Sequence, residues 1–452
     1  MANIHLIGIG GAGLSAIATV LYQQGHRISG SDAQASAATE RLADMGATVF
    51  IGQRPENIDP DLNAVIISSA IAADNPELQQ ARRLGVPVYK RADWLGQMMA
   101  GSTGIAVAGT HGKTTTTAMI AYVLRQAGHD PTYIVGGFVP QLAANAAAGG
   151  GPAFVIEADE YDHMFLGLRP QVAVVTFVEW DHPDIFPSAA SLQQAFAQFV
   201  QLAPANGLVI GCGDAPGVAA ALAAARSRVA TYGINPGNDW QAQNLRPNQR
   251  GGFDFTVVGP EGSAAVSLAV PGRHNVLNGL AALVAAHRQG IELAQAAEIL
   301  GQFGGVERRF QLKGDAAGVT VIDDYAHHPT EIRATLAAAR ARFGRRPLWA
   351  LFQPHTFSRT ALLLDDFAAA FADADHVLIV DIFAAREKDE GRISSRDILS
   401  RMQHPDARYI PSLAGAAELL ARALAAPDVL LTLGAGDGYK VGEMVLAQLR
   451  TE

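Results

Sequence analysis

Short runs of aliphatic and β-branched residues, each followed by a stretch with apolar positions at helical spacing, recur along most of the chain. Ile4–Ile9 reads as a strand, Leu14–Gln24 as a helix and Arg27–Ser29 as the start of a second strand, with later runs at Ala64–Ser68 and Val86–Tyr89. Such alternation predicts a parallel sheet with crossover helices. A second unit opens near Gly101: the buried strand Ile105–Ala108, the helix Thr115–Ala127, then continuous apolar strands at Phe154–Ile156, Val172–Phe177 and Leu208–Ile210. Residues 236–270 are more polar, and Asp254–Val258 and Ala265–Ala269 suggest an antiparallel patch before the helices Asn278–Gln289 and Leu293–Leu300. A third unit carries strands at Val319–Ile322, Leu348–Phe352, Val377–Val380 and Val429–Leu433. The expected α/β division is 1–100, 101–310 and 311–452, with the low-complexity stretch Ala143–Gly151 as a flexible surface loop.

Composition narrows this picture. The 452 residues agree with three domains at about 150 residues each. Hydrophobic residues make up 49% and charged ones 17%, which excludes an intrinsically disordered chain. A net charge of −9 repels phosphate backbones, so nucleic acid is not an expected partner. The single Cys212 excludes an intrachain disulfide and a multi-cysteine metal site. With no basic, apolar-cored leader and no run of about 18 apolar residues, a cytoplasmic protein without membrane insertion is expected.

Several strand ends carry candidate chemistry. Gly8-Ile9-Gly10-Gly11-Ala12-Gly13 joins a strand to a helix, where backbone N–H groups and the positive end of the helix dipole suit a diphosphate. Asp32, after the second strand, stands where dinucleotide enzymes place a ribose-binding acid. The turn alone does not separate a dinucleotide from a nucleoside diphosphate-sugar. Gly109-Thr110-His111-Gly112-Lys113-Thr114-Thr115 also joins strand to helix, as a phosphate loop does, although Val107 stands where the usual spacing has glycine. Lys113 would reach the β and γ phosphates and Thr114 would face a Mg²⁺. Glu157 and His182 follow two further strands and could converge with Lys113 on one phosphate; a carboxylate suits Mg²⁺, while imidazole is more typical of Mn²⁺ or Zn²⁺.

Later clusters extend the pattern. Asn275 and Asn278 open a helix and could meet an adenine edge, with helix capping as the alternative for Asn275. Arg308-Arg309 could close on phosphate or form a solvated hinge. Asp323–Pro329 and Phe352–Thr360 follow adjacent strands and would line one crevice, with Arg359 available to hold a carboxylate.

In this order the motifs resemble those of the Mur ligases of peptidoglycan synthesis, over nearly the whole chain. The resemblance implies an N-terminal Rossmann-like domain for a UDP-sugar, a central P-loop-type ATPase with a mostly parallel sheet, and a C-terminal Rossmann-like domain. It moves the first turn from a nicotinamide dinucleotide to a UDP diphosphate, bound by Gly10, Gly11, Ala12, Gly13, Ser31, Asp32, Ser69 and Ala70. ATP would be held by Gly109, Thr110, His111, Gly112, Lys113, Thr114, Thr115, Asn275, Asn278, Arg309 and Asp324, and Mg²⁺ (Mn²⁺ as an alternative) by Thr114, Glu157 and His182. Tyr325, His327 and Arg359 would define an amino-acid pocket, with His327 the candidate proton acceptor. Many members read His-Arg-Phe-Thr-Arg where this chain has His355-Thr356-Phe357-Ser358-Arg359, so one basic residue is absent.

The implied reaction is ATP-dependent ligation of L-alanine to the lactyl carboxylate of UDP-N-acetylmuramate through an acyl phosphate, by a monomer or weak homodimer. A relative attaching recycled tripeptide tends to carry Gly-Ile-Cys-Gly in the first turn and Glu-Pro-Arg-Ser in place of Phe352–His355, and both features point away from it. A nicotinamide-dependent dehydrogenase would leave the second turn without a purpose. A nucleotide-hydrolysing switch would leave the first and third clusters unexplained.

Overall fold

The structure is a computed structural model and describes residues 1–450. The chain divides into two compact units, Met1–Glu179 with Ala190–Gln241 and Leu280–Ile299, and Trp180–Ala189 with Ala242–Gly279 and Leu300–Glu452.

The first unit opens with β1 (Asn3–Ile7), β2 (Arg27–Asp32), β3 (Thr48–Ile51), β4 (Ala64–Ile67) and β5 (Val88–Lys90). They form a parallel sheet in the order β3-β2-β1-β4-β5. Ile4, Leu6, Ile7, Val65 and Ile66 are buried, as strands covered on both faces require. The order reverses between β1 and β4, and a crevice outside the carboxyl ends of a sheet forms at such a reversal.

The same unit continues with β6 (Thr103–Ala108), β7 (Thr132–Val139), β8 (Ala144–Ala147), β9 (Ala153–Glu157), β10 (Val172–Val175), β11 (Leu208–Cys212) and β12 (Arg228–Gly233). Their order is β12-β11-β10-β6-β9-β7-β8, parallel except for the β7–β8 hairpin. Ala144–Ala147, within the stretch expected as a flexible loop, thus form a strand. Its small residues permit close approach: Gly149 and Gly151 lie against the Asp130 and His129 carbonyls, and Ala148 N donates to Gln23 Oε1 at 2.7 Å. Strand β10 ends two residues earlier than expected, because Phe177 turns to accept from Thr110 N at 2.9 Å.

Strand β13 (Trp240–Pro247) begins in the first unit, pairing with β12 through Trp240 and Gln241. In the second unit β14 (Phe253–Gly259) and β15 (Gly262–Leu268) form the expected antiparallel hairpin. The remaining strands are β16 (Gln311–Ala316), β17 (Val319–Asp324), β18 (Leu348–Phe352), β19 (His376–Ile379), β20 (Ala407–Tyr409) and β21 (Val429–Leu433). They are ordered β16-β17-β21-β18-β19-β20, with only β16 antiparallel. One face packs Leu336, Phe352 and Phe371, the other Leu351, Leu420 and Val445. No helix among the described residues is long and apolar enough to cross a membrane.

Candidate active site

In the first unit, the glycine turn follows β1 and Ser69-Ala70 follows β4, so both border the reversal crevice. Gly8 N and Ile9 N donate to the Ser31 carbonyl at 2.8 and 3.0 Å, and Gly10 N to Asp32 Oδ2 at 2.9 Å. Asp32 therefore braces the turn itself. The Ser31 hydroxyl donates to the buried Glu77 at 2.5 Å. The helix Ala12–Gln23 starts on this turn without an acidic residue in its first turn, leaving its positive end for an anion.

The second glycine turn, the candidate phosphate loop, connects β6 to the helix Lys113–Gln126. Gly109 (φ +139°) and Gly112 (φ +79°) take backbone angles that side chains disfavour, and a Cβ on Gly109 would collide with Thr176. Lys113 Nζ donates to Gly109 O at 2.6 Å and lies 2.9 Å from Glu160, a carboxylate only 1% exposed. Burial disfavours the ammonium, but Glu160, Asp159 and Glu157 outweigh it and the Lys113 pKa is raised. Thr114 Oγ1 donates to Glu157 Oε1 at 3.0 Å, and Gly136 N to Glu157 Oε2 at 2.7 Å. His111 is bonded to Glu179, and its carbonyl accepts from Thr176 at 2.5 Å. Thr110 is buried in the same turn, and Thr115 in the helix that follows it. Glu160 was missed by sequence reasoning; the tertiary signal is its burial against Lys113.

One cleft of about 220 Å³ in this unit is lined by Ala12, Gly13, Arg91, Gly136, Glu157 and Asp159 among others. Arg91 was missed. Its one sequence signal is position: it opens the helix Arg91–Met98, where the dipole disfavours a cation.

The second unit carries the remaining candidates. Asp181 and Arg359 form a bidentate pair at 2.9 and 3.2 Å, their side chains 3% and 5% exposed. Arg359, expected to be available for a carboxylate, is thus already engaged by one. Burial works against the Asp181 carboxylate, but Arg359 and nearby histidines hold its pKa well below the usual range. His182 Nδ1 and His355 Nδ1 lie 3.5 and 3.3 Å from the Arg359 guanidinium. Burial and that guanidinium lower His355 to about 4. His327 stands in a T-shaped contact with Tyr325 and 6.0 Å, centroid to centroid, from the His355 ring. Burial above all lowers its pKa to about 3.

Asp324 ends β17 and accepts from Phe310 N at 2.7 Å and Ala326 N at 2.8 Å. Burial raises its pKa to about 6 despite Arg309 and these donors. Both Arg308 and Arg309 lie 5.0 Å from the Tyr325 ring centroid. Arg308 is no solvated hinge: it donates to Asp323 at 3.0 Å and to the carbonyls of Gly434 and Gly436. Asn275 Nδ2 donates to Pro271 O at 2.6 Å and Asn278 Nδ2 to Asn275 Oδ1 at 3.0 Å, so the two amides are held together at the start of the helix Arg273–Arg288.

Family models cover nearly all of this framework. "Mur ligase family, catalytic domain" matches residues 3–103, "Mur ligase middle domain" 107–286, and "Mur ligase, glutamate ligase domain" 308–436. The chain belongs to the Mur ligase family. Its three domains are α/β with mostly parallel sheets. This Mur ligase is 44% identical to the UDP-N-acetylmuramate–L-alanine ligase of Roseiflexus sp. (strain RS-1), over 100% of each chain. It is 44% identical to that of Rubrobacter xylanophilus, over 99% of this chain and 100% of the relative. Among solved structures, UDP-N-acetylmuramate-alanine ligase from Thermotoga maritima matches with a TM-score of 0.82 at 28% identity, over 100% of both chains. A murein peptide ligase from Psychrobacter arcticus gives 0.74 at 26% identity, over 100% of this chain and 99% of that one.

Proposed function

We infer that this Mur ligase joins L-alanine to the lactyl carboxylate of UDP-N-acetylmuramate at the expense of ATP. The full-length relatives at 44% identity favour this over tripeptide attachment and over a dehydrogenase. The observation that carries the reading is the cleft in the first unit. A diphosphate-binding turn at Gly13 and a phosphoryl-transfer carboxylate at Glu157 border the same space, as a UDP-sugar with a carboxylate to be phosphorylated requires.

In this reading ATP phosphorylates the lactyl carboxylate, and the amine of L-alanine attacks the acyl phosphate to leave amide, ADP and phosphate. Lys113 neutralises charge on the γ-phosphoryl group while Gly109, Thr110, His111, Gly112 and Thr115 shape its loop. Thr114 and Glu157 converge hard oxygen donors within 3.0 Å, a donor set that fits Mg²⁺; with His182 they would hold it. When bound, the ion supplies charge neutralisation for the transferring group. Asn275 and Asn278 would meet the adenine, and Arg309 and Asp324 the nucleotide. Tyr325, His327 and Arg359 would shape the amino-acid pocket. The amine attacks as the free base, with His327, which burial keeps neutral, as the candidate to accept its proton. With Nδ1 3.0 Å from the Tyr325 carbonyl, His327 keeps Nε2 to accept a hydrogen bond from it. The domain limits 1–100, 101–310 and 311–452 are part of this proposal.

Phosphate release from ATP should require both UDP-N-acetylmuramate and L-alanine. Label from ¹⁸O in the lactyl carboxylate should appear in inorganic phosphate; none there would refute the acyl phosphate. Lys113→Ala should abolish turnover while UDP-sugar binding persists, and substantial residual ligation would show that the phosphate loop is misassigned.

A further inference from the structure

The glycine turn has no cationic side chain of its own, so a diphosphate there would meet only backbone N–H groups. One arginine reaches the turn from elsewhere in the first unit. Arg91 follows β5 directly, and its guanidinium lies so close over Gly13 that a Cβ there would collide with Nη1, with Cδ at 3.1 Å and Cζ at 3.2 Å. The absence of a side chain at position 13 is therefore what admits the guanidinium to the start of the helix Ala12–Gln23. On its other side Nη2 stands 3.6 Å from Asp159 Oδ2, an ion contact too long for a good hydrogen bond. The Arg91 side chain makes no hydrogen bond among the described residues, so its five N–H donors are uncommitted. The pair is partly open to solvent, with side chains 22% and 38% exposed, and both residues line the cleft that holds Gly13 and Glu157.

We propose that Arg91 is the cation that binds the diphosphate of the UDP-sugar, handed over from Asp159 when the nucleotide enters. This rests on the UDP-sugar reading above and adds to it a specific residue and an exchange of partners. Asp159 keeps the guanidinium posed above the turn, and its weak hold leaves the exchange easy. A guanidinium opposite a helix N-terminus offers a diphosphate two fixed N–H donors on one side and backbone N–H groups on the other. The opposing Gly13 position then has a reason independent of backbone angle: any larger residue would push Arg91 off the phosphate.

Calorimetric titration of the full-length enzyme with UDP, UDP-N-acetylglucosamine, UDP-N-acetylmuramate and ATP tests this. Arg91→Gln should weaken the three uridine ligands alike, by about tenfold or more, and leave ATP within twofold of the unchanged enzyme. Arg91→Lys should recover part of the loss, since it restores charge without the paired geometry. Unchanged UDP affinity in Arg91→Gln overturns the proposal. So does a loss confined to UDP-N-acetylmuramate, which would put the guanidinium on the lactyl carboxylate. If the unchanged enzyme binds none of the uridine ligands, the UDP-sugar reading itself fails. Should the Arg91 variants not fold, Asp159→Asn removes the competing carboxylate and must tighten UDP several-fold; unchanged or weaker binding refutes the handover.

Discussion

Replacing Gly136 by alanine tests how closely the phosphoryl-transfer centre is fitted. Gly136 lies on β7 and its N–H holds Glu157 Oε2. A Cβ built there would stand 2.5 Å from Oε2, 2.7 Å from Oε1 and 2.8 Å from Cδ of Glu157. Ordinary contact begins at 3.4 Å, so the carboxylate must retreat by about 0.9 Å. It cannot do so while keeping its 3.0 Å bond to Thr114. A misplacement of about 1 Å in a positioned group costs on the order of a hundredfold in rate, or about 2.7 kcal/mol of barrier. The backbone at this exposed position tolerates alanine, since its φ is not in the left-handed range. Thermal unfolding should therefore stay close to that of the unchanged enzyme. In a phosphate-release assay with ATP, UDP-N-acetylmuramate and L-alanine, kcat should fall about a hundredfold. UDP affinity, set at the Gly13 end of the cleft, should change by less than about threefold. A kcat within about threefold of the unchanged enzyme would refute the claim that Glu157 is held in a single working position.

Two predictions concern the second unit. Asp181→Asn leaves the Arg359 guanidinium buried without its counter-charge, which should cost about 3–5 kcal/mol in urea unfolding; a loss below about 1 kcal/mol would mean the pair is solvated in solution. Because the folded Asp181 pKa is depressed, the contribution of this pair is present above about pH 4 and is lost as the pH falls through the folded value. Asp324 has the opposite sign. Its folded pKa is about 6 against about 3.9 unfolded, so the native state keeps the proton longer and stability falls as pH rises from about 4 to 6, by about 3 kcal/mol. Asp324→Asn should remove that slope from urea midpoints measured across this window, and an unchanged slope would show that another group titrates there.

Much of the site was legible because its chemistry sits at strand ends. A run such as Ile105–Ala108, followed by glycines, Lys113 and threonines, announces a phosphate loop from local sequence alone. The strands buried on both faces were equally plain, since a parallel sheet leaves continuous apolar runs. Edge strands were harder. Ala144–Ala147 is built from small residues with little intrinsic strand preference, and pairing with β7 and contact with the helix Ala12–Gln23 order it. Gln311–Ala316 alternates weakly because β16 lies at the edge of its sheet.

Partner choice was not legible, because it depends on groups far apart in the chain. Arg359 reads as free for a substrate until Asp181 is found beside it, 178 residues away. That Asp32 also braces Gly10 is visible only once the two are brought together in space. The α/β class, the order of the strand-end clusters and the residue types able to handle phosphate could all be read along the chain, because they follow from local periodicity and side-chain chemistry. Which carboxylate each cation meets, and which group is buried, came from the fold. Ion pairing and desolvation act over a few ångströms of space, and distance along the chain carries no information about them.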